Sequence, residues 1–372
     1  MNYVMESPPG PRALINGRWR DYFSGCSYLG LQNHPALIQA ATEALQRYGL
    51  AAATSRGGYG EHPVYHAVEE AAARFFAAPR ALYFVSGYLG ATILAQGLRR
   101  DYDQIFADDA SHFSIRDGAA TAGAPVSYFR HLDAADLAAA LRTKLRPAGR
   151  PLIFSDGVFP ISGEIAPAAD YLAILAGYEG AILCLDDAHA TGVLGEGGRG
   201  TLAHWQGENA AIVGQTPVYT THTFSKALGA GGGVIAGGEA LIEQLKRDST
   251  TPAAHSPAAF PVAAAAARSL ALVAAEPALR QMLRANVAHA RAGLTGLGWP
   301  LPDTPVPIIC LTALPGIDLA RLQAELFARD ICVAHVTRYS STPAGGALRV
   351  AIFATHAREQ IDRLVEELRR LL

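Results

Sequence analysis

From Tyr65 onward the chain alternates continuous apolar runs with stretches whose apolar positions recur at helical spacing. Ala67–Phe76 reads as helix, Ala81–Val85 as a strand ending at SGY, Gly87–Leu98 as helix, and Gln104–Phe106 as a short strand ending at ADDASH. Further apolar runs follow at Leu152–Gly157, Ala181–His189 and Val218–Lys226, each stopping in a polar cluster. Strands without polar alternation, separated by helices, predict a parallel sheet covered on both faces. Ligands in such sheets bind beyond the carboxyl ends of the strands, where these clusters fall. Gly231–Gly238 predicts a further strand that turns back.

Before this region, residues 1–34 read as an extended arm with a small strand near Trp19–Phe23. A helix over Pro35–Tyr48 carries apolar Leu37, Ile38, Ala41 and Leu45 and stops at Gly49. After it, the Ala-rich helix Val262–Ala275 leads to strands at Pro307–Leu311, Cys332–His335 and Leu348–Phe353. Helices Leu319–Arg329 and Ala357–Leu371 complete a smaller α+β unit. The organisation read is an arm and helix over 1–48, a large α/β domain over 49–255 and a small α+β domain over 256–372. A length of 372 residues accommodates two or three domains.

Composition narrows the function. The net charge of −2 gives no broad basic surface for nucleic acid and no polybasic membrane patch. The longest apolar stretch, Phe260–Ala275, is interrupted by Arg268 and falls short of the roughly 20 residues of a span, and no secretory signal is seen. Cys26, Cys184, Cys310 and Cys332 form no CxxC, which points to a reducing compartment and makes the cytoplasm the expected location.

Four segments carry candidate chemistry. In THTFSKALGAGGG, Lys226 follows a strand, precedes small residues and has no adjacent acid. It is either a solvated loop lysine or a crowded amine suited to Schiff-base chemistry. The Thr-x-x-Lys spacing also matches the SxxK of penicillin-recognising enzymes, but KTG and SDN are absent. In CLDDAHATG, Asp186 ends a strand with His189 three residues on. Its carboxylate either caps a helix or holds a cofactor's ring nitrogen protonated, as pyridoxal phosphate (PLP) requires. VSGYLGA is a small-residue turn whose backbone N–H groups suit a phosphate. His112, in DDASHFS, is either a satisfied histidine or a residue stacked on a planar ring. GEGGRG over 195–200 matches GxGxxG without a preceding strand or a following acid, so no dinucleotide site is assigned. His62 and His66 have metal-ligand spacing but no zincin Glu, so no metal is assigned. Tyr28 and Leu29 are read as packing residues.

In order, these segments resemble the α-oxoamine synthase family of fold-type I PLP-dependent enzymes. The likeness runs from about Phe23 to Leu371 and is most specific in SYLGLQNHP, DDAHATGVLGEGGRG and THTFSKALGAGGG. It implies Lys226 as the Schiff-base lysine and acid/base, Asp186 at the pyridine nitrogen and His189 at the phenolic oxygen. It implies His112 stacked on the ring and meeting the acyl group. Gly87 and Tyr88 would hold the phosphate through backbone N–H groups, with the Thr223 hydroxyl. Arg349 in ALRVAI would fork onto the amino-acid carboxylate, with Ser341 as a loose counterpart in the substrate loop. The implied reaction is decarboxylative condensation of a small amino acid with an acyl-thioester, in a homodimer with active sites at the subunit interface. A PLP aminotransferase is the alternative. A non-catalytic scaffold would predict loss of the lysine or the aspartate, and both are present. The chain departs from the pattern at Cys26 (often Asn), Pro160 (often Ser), Ser256-Pro257 (often Ser-Thr), the loop TRYSSTPAGGALR and its short N-terminal segment.

Overall fold

The computed structural model describes residues 3–209 and 216–372; Met1 and Asn2 of the arm lie outside the described residues. Strands are numbered in chain order: β1 Arg12–Ile15, β2 Arg18–Tyr22, β3 Arg80–Phe84, β4 Gln104–Asp108, β5 Val126–Phe129, β6 Pro151–Asp156 and β7 Ile182–Asp186. They continue as β8 Val218–Thr223, β9 Gly233–Gly237, β10 Ile308–Leu311, β11 Ile331–Cys332, β12 Ala334–Val336 and β13 Ala347–Ala351. The large sheet has the order β3-β9-β8-β7-β6-β4-β5. Neighbours from β8 to β5 are parallel, while β9 runs antiparallel to both β3 and β8. The turning-back strand is therefore present, inserted between β3 and β8.

The period of two along each strand shows why the runs look uniformly apolar. Ile105, Ala107, Leu152, Phe154, Ile182 and Cys184 pack with Ile93, Leu94, Ile115 and Leu245 from helices on one face. Phe106, Ile153, Leu183 and Leu185 pack with Leu137, Leu141, Tyr171 and Leu172 on the other. With both faces covered, the central strands β4, β6 and β7 leave almost no position to solvent.

A second sheet, β10-β13-β12, is antiparallel, and a third joins β1 and β2 of the arm to β11. The single strand expected over Cys332–His335 is thus two. Its first part pairs with β2 and its second with β13, so the chain changes sheets at Val333. Other boundaries also shift. Helix Pro63–Phe75 starts earlier than expected because His62 accepts from the Val64 N–H and Pro63 fits the first turn. The expected helix over Gly87–Leu98 opens as a tight turn, Gly87–Leu89, before helix Gly90–Gly97. Strand β5 and helix Pro277–Thr295 were not anticipated. Among the described residues no single helix is long and apolar enough to cross a membrane; Phe260–Ala275 and Pro277–Thr295 pass that test only together, bent by 76°.

Candidate active site

The strand-end clusters converge because β3, β4, β6, β7 and β8 all point the same way. A cavity of about 470 Å³ opens at that edge, lined by Gly87, Tyr88, His112, Asp186, His189, Thr223, Lys226 and Arg349. Cys26, Ser114, Asp156, Pro160 and Tyr339 complete its chemistry-bearing wall. Ser341 does not line it; the Ser341 hydroxyl instead accepts from the Ile161 N–H at 3.3 Å.

Lys226 lies just past β8, with Nζ 2.8 Å from His189 Nε2. Burial lowers the lysine's pKa and the Arg349 charge adds to this, against the opposing charges of Cys26, Asp186 and Asp156. Burial also pushes His189 well below its ordinary value, reinforced by the cations Lys226 and Arg349. A neutral His189 that accepts from the Lys226 ammonium carries its proton on Nδ1. That nitrogen is 2.7 Å from the hydroxyl of Tyr28, which also receives Arg349 Nη2 at 3.1 Å. Tyr28 is therefore more than packing: fully buried in the core, it links the lysine–histidine pair to the arginine. Leu29 is a core residue, as expected.

Asp186 ends β7, where Oδ1 accepts from the Ala188 N–H at 3.0 Å and Oδ2 lies 3.4 Å from the Ser114 hydroxyl. The carboxylate thus closes a turn, no helix follows it directly, and it lines the cavity. Its neighbour in register on β6 is Asp156, which sequence reasoning missed. Burial and the Asp186 charge drive Asp156 far above the usual carboxylate range, while its Oδ2 accepts from the His112 N–H at 2.8 Å.

His112 caps helix Phe113–Ala120, its Nδ1 accepting from the Ser114 N–H at 3.2 Å. Tyr88, hydrogen-bonded to Asp117, meets the His112 ring edge-on at a centroid distance of 5.8 Å. At Gly87 a Cβ would stand 2.6 Å from Cβ and Oγ1 of Thr223, so only glycine lets this turn press against β8. The result is open backbone at Gly87 on the cavity edge, beside the Thr223 hydroxyl.

Arg349, on β13, is buried and held from three sides. Nε donates to the Pro160 carbonyl at 2.6 Å, Nη1 to the Gly25 carbonyl at 2.9 Å, and Nη2 approaches Cys26 Sγ at 3.6 Å. Pro160 serves through its carbonyl, which any residue supplies, so the departure there leaves this contact intact.

Two set-aside patterns have other roles. His62 stacks on Phe260 with centroids 4.2 Å apart, and His66 pairs with Glu61 at 3.2 Å. The segment 195–200 forms a turn with Gly195, Gly197, Gly198 and Gly200 at positive φ, and no strand precedes it directly.

A half-buried amine, a strand-end carboxylate and a glycine turn on one edge of this doubly covered sheet define a fold-type I PLP-dependent transferase fold. The serine palmitoyltransferase of S. paucimobilis, solved with a bound PLP–myriocin aldimine, superposes with a TM-score of 0.90 at 25% identity, covering 99% of this chain and 92% of that one. The model of the family "Aminotransferase class I and II" matches residues 23–368. The 8-amino-7-oxononanoate synthase of Methylococcus capsulatus is 39% identical over 98% of this chain and 92% of its own length. That of Nitrosococcus oceani is 37% identical over 99% and 96%. The chain belongs to the aminotransferase class I and II family and, within it, to the α-oxoamine synthases.

Proposed function

We propose that this chain is a PLP-dependent C-acyltransferase that condenses a small amino acid with an acyl-thioester, releasing carbon dioxide and free thiol and yielding an α-aminoketone. The observation that carries this reading is the half-buried Lys226 amine, 2.8 Å from His189 in a cavity that Asp186, His112 and Arg349 also line. The residues fit PLP: the Gly87–Tyr88 turn and Thr223 would hold its phosphate, Asp186 its ring nitrogen and His189 its phenolic oxygen. When bound, PLP supplies an aldehyde carbon that bonds to amines and a ring that draws electron density from the amino acid's α-carbon.

The protein's part is to hold and to move protons. Lys226 anchors the cofactor and takes the α-proton, and its lowered basicity suits an amine that must shed its own proton. Asp186 keeps a proton at the ring nitrogen, the position where positive charge favours electron withdrawal. Arg349 grips the substrate carboxylate, its guanidinium already oriented by Pro160 and Gly25. His112, which lines the cavity, would form one wall against the ring.

The same reading has two chains assembling as a homodimer, supported by exposed Leu50 and Tyr59, which a partner would cover. Four cysteines without a disulfide support a cytoplasmic location.

Transamination is the competing reading, supported by the family's breadth. A thiol-release screen of glycine, alanine and serine against hexanoyl-CoA and palmitoyl-CoA, with product masses recorded, separates them. Condensation predicts thiol release that requires both substrates; conversion of the cofactor to its amine form by amino acid alone would instead establish transamination. K226A is expected to lose the visible band of covalently held PLP, and an unchanged spectrum would refute the lysine's assignment.

A further inference from the structure

The loop between β12 and β13 departs from the family pattern, and it brings a hydroxyl to the cavity that the proposed roles leave unused. Tyr339 lines the cavity from this loop. Its N–H donates to the Thr342 hydroxyl at 3.2 Å, and the Thr342 N–H returns to the Tyr339 carbonyl at 3.2 Å, closing the loop on itself. The Tyr339 ring stands edge-on to Phe113, with centroids 5.3 Å apart, and tilted against His112 at 5.7 Å. Its hydroxyl oxygen is 2.8 Å from His112 Nε2.

The direction of that last bond follows from the other side of the imidazole. A backbone N–H can only donate, so Ser114 N, 3.2 Å from His112 Nδ1, requires a lone pair on Nδ1. The Ser114 hydroxyl, 2.7 Å from the same nitrogen, then donates to it rather than to the more distant Asp186 Oδ2 at 3.4 Å. Burial disfavours the doubly protonated ring. The single ring proton therefore sits on Nε2 and is donated to the Tyr339 oxygen. Two consequences follow. His112 has no N–H left for a substrate carbonyl. Tyr339, accepting through its oxygen, keeps its own O–H for the cavity, and the bond it accepts makes that O–H a stronger donor.

We propose that Tyr339 is a catalytic residue of the acyl-transfer step, donating to the carbonyl oxygen of the acyl-thioester. This rests on the condensation reading above and reassigns to the tyrosine a donor role that residue type alone would give to His112. As the amino acid's α-carbon bonds to the thioester carbon, the carbonyl π pair moves onto oxygen, where Tyr339 stabilises it. Re-formation of the C=O bond then breaks the carbon–sulfur bond, and the thiolate leaves and takes a proton from water. A fixed donor at a developing oxyanion contributes in this way without reorganisation.

The test compares wild type with Y339F, which keeps the ring and removes only the hydroxyl. Two rates are measured on the PLP-loaded enzyme: exchange of the α-proton of alanine in deuterium oxide, which needs no acyl donor, and thiol release from hexanoyl-CoA and palmitoyl-CoA. The expected result is thiol release slowed by about 100-fold with exchange changed by less than about twofold. Thiol release that stays within about twofold of wild type, or exchange that falls in parallel with it, overturns the role. Wild type that exchanges but releases no thiol overturns the condensation reading, and this role with it. Independently of activity, nitrogen NMR of the imidazole in the apoprotein is expected to show His112 protonated at Nε2; protonation at Nδ1 alone would remove the basis of the proposal.

Discussion

Cys26 stands where the family pattern often has Asn, and its sulfur shares the Arg349 guanidinium that the amino-acid carboxylate would use. Burial alone would raise the thiol's pKa. The charges of Arg349 and Lys226, with a hydrogen bond from Tyr28, outweigh it and hold the thiol below its ordinary range. Tyr22 and Tyr339 are the other titratable groups facing it. A thiolate here neutralises part of the arginine and repels an incoming carboxylate. Alanine should therefore bind the PLP-loaded enzyme more weakly, by about 3- to 10-fold, between neutral pH and about pH 9. In C26A that decline should shrink, leaving only what other groups contribute. Spectral titration with alanine across this range measures both, and an equal slope in the two proteins would remove Cys26 from the account.

The segment after β6 turns back on itself through the Val158–Ile165 bridge and carries Pro160 to Arg349. His131 fastens it to the sheet: Nδ1 is 3.1 Å from Asp108 Oδ1, Nε2 is 3.2 Å from Glu164 Oε2, and the ring meets Phe159 edge-on at 4.3 Å. Burial alone would lower the histidine's pKa; the two carboxylates overcome this and raise it to about 9. A group protonated more readily in the folded state than in the unfolded one stabilises fully below its unfolded value of about 6.5. That contribution declines as pH rises and is lost through about 9. H131N should thus lower the melting temperature clearly near pH 6 and little near pH 10, taking about 6.5 as the unfolded reference. Melting curves of both proteins at the two pH values check this, and a constant difference would contradict it. Strand ends such as Asp186 and Lys226 were legible in the sequence because each apolar run breaks abruptly into polar residues. Strand β5 was not, since as an edge strand it is mostly half-exposed and lacks that contrast. The roles of Tyr28 and Tyr339 were hidden for a different reason. Their histidine partners lie 161 and 227 residues away, and no local pattern encodes such a pairing.

At the scale of the whole molecule, Arg349 is where the arm, the large sheet and the small sheet meet. Gly25 and Cys26 contribute from the arm, Pro160 from the segment after β6, and the arginine itself from β13. The family resemblance could assign Arg349 to a carboxylate, but a structural role at this junction depends on how three distant segments pack. The two roles have separable consequences. R349A would leave the buried Pro160 carbonyl and the half-buried Gly25 carbonyl without these donors, and a buried acceptor so stranded costs about 1–3 kcal/mol, a half-buried one less. The melting temperature of the apoprotein should then fall by about 2–6 °C, before any substrate is involved. R349K retains the charge but not the fork, so it should recover part of the stability while alanine binding to the PLP-loaded enzyme stays weak. Thermal melts of the three apoproteins, set beside alanine titrations of the three loaded enzymes, test the two roles together. Unchanged stability in R349A would mean that the junction closes without the arginine, whereas unchanged alanine affinity would put the carboxylate site elsewhere.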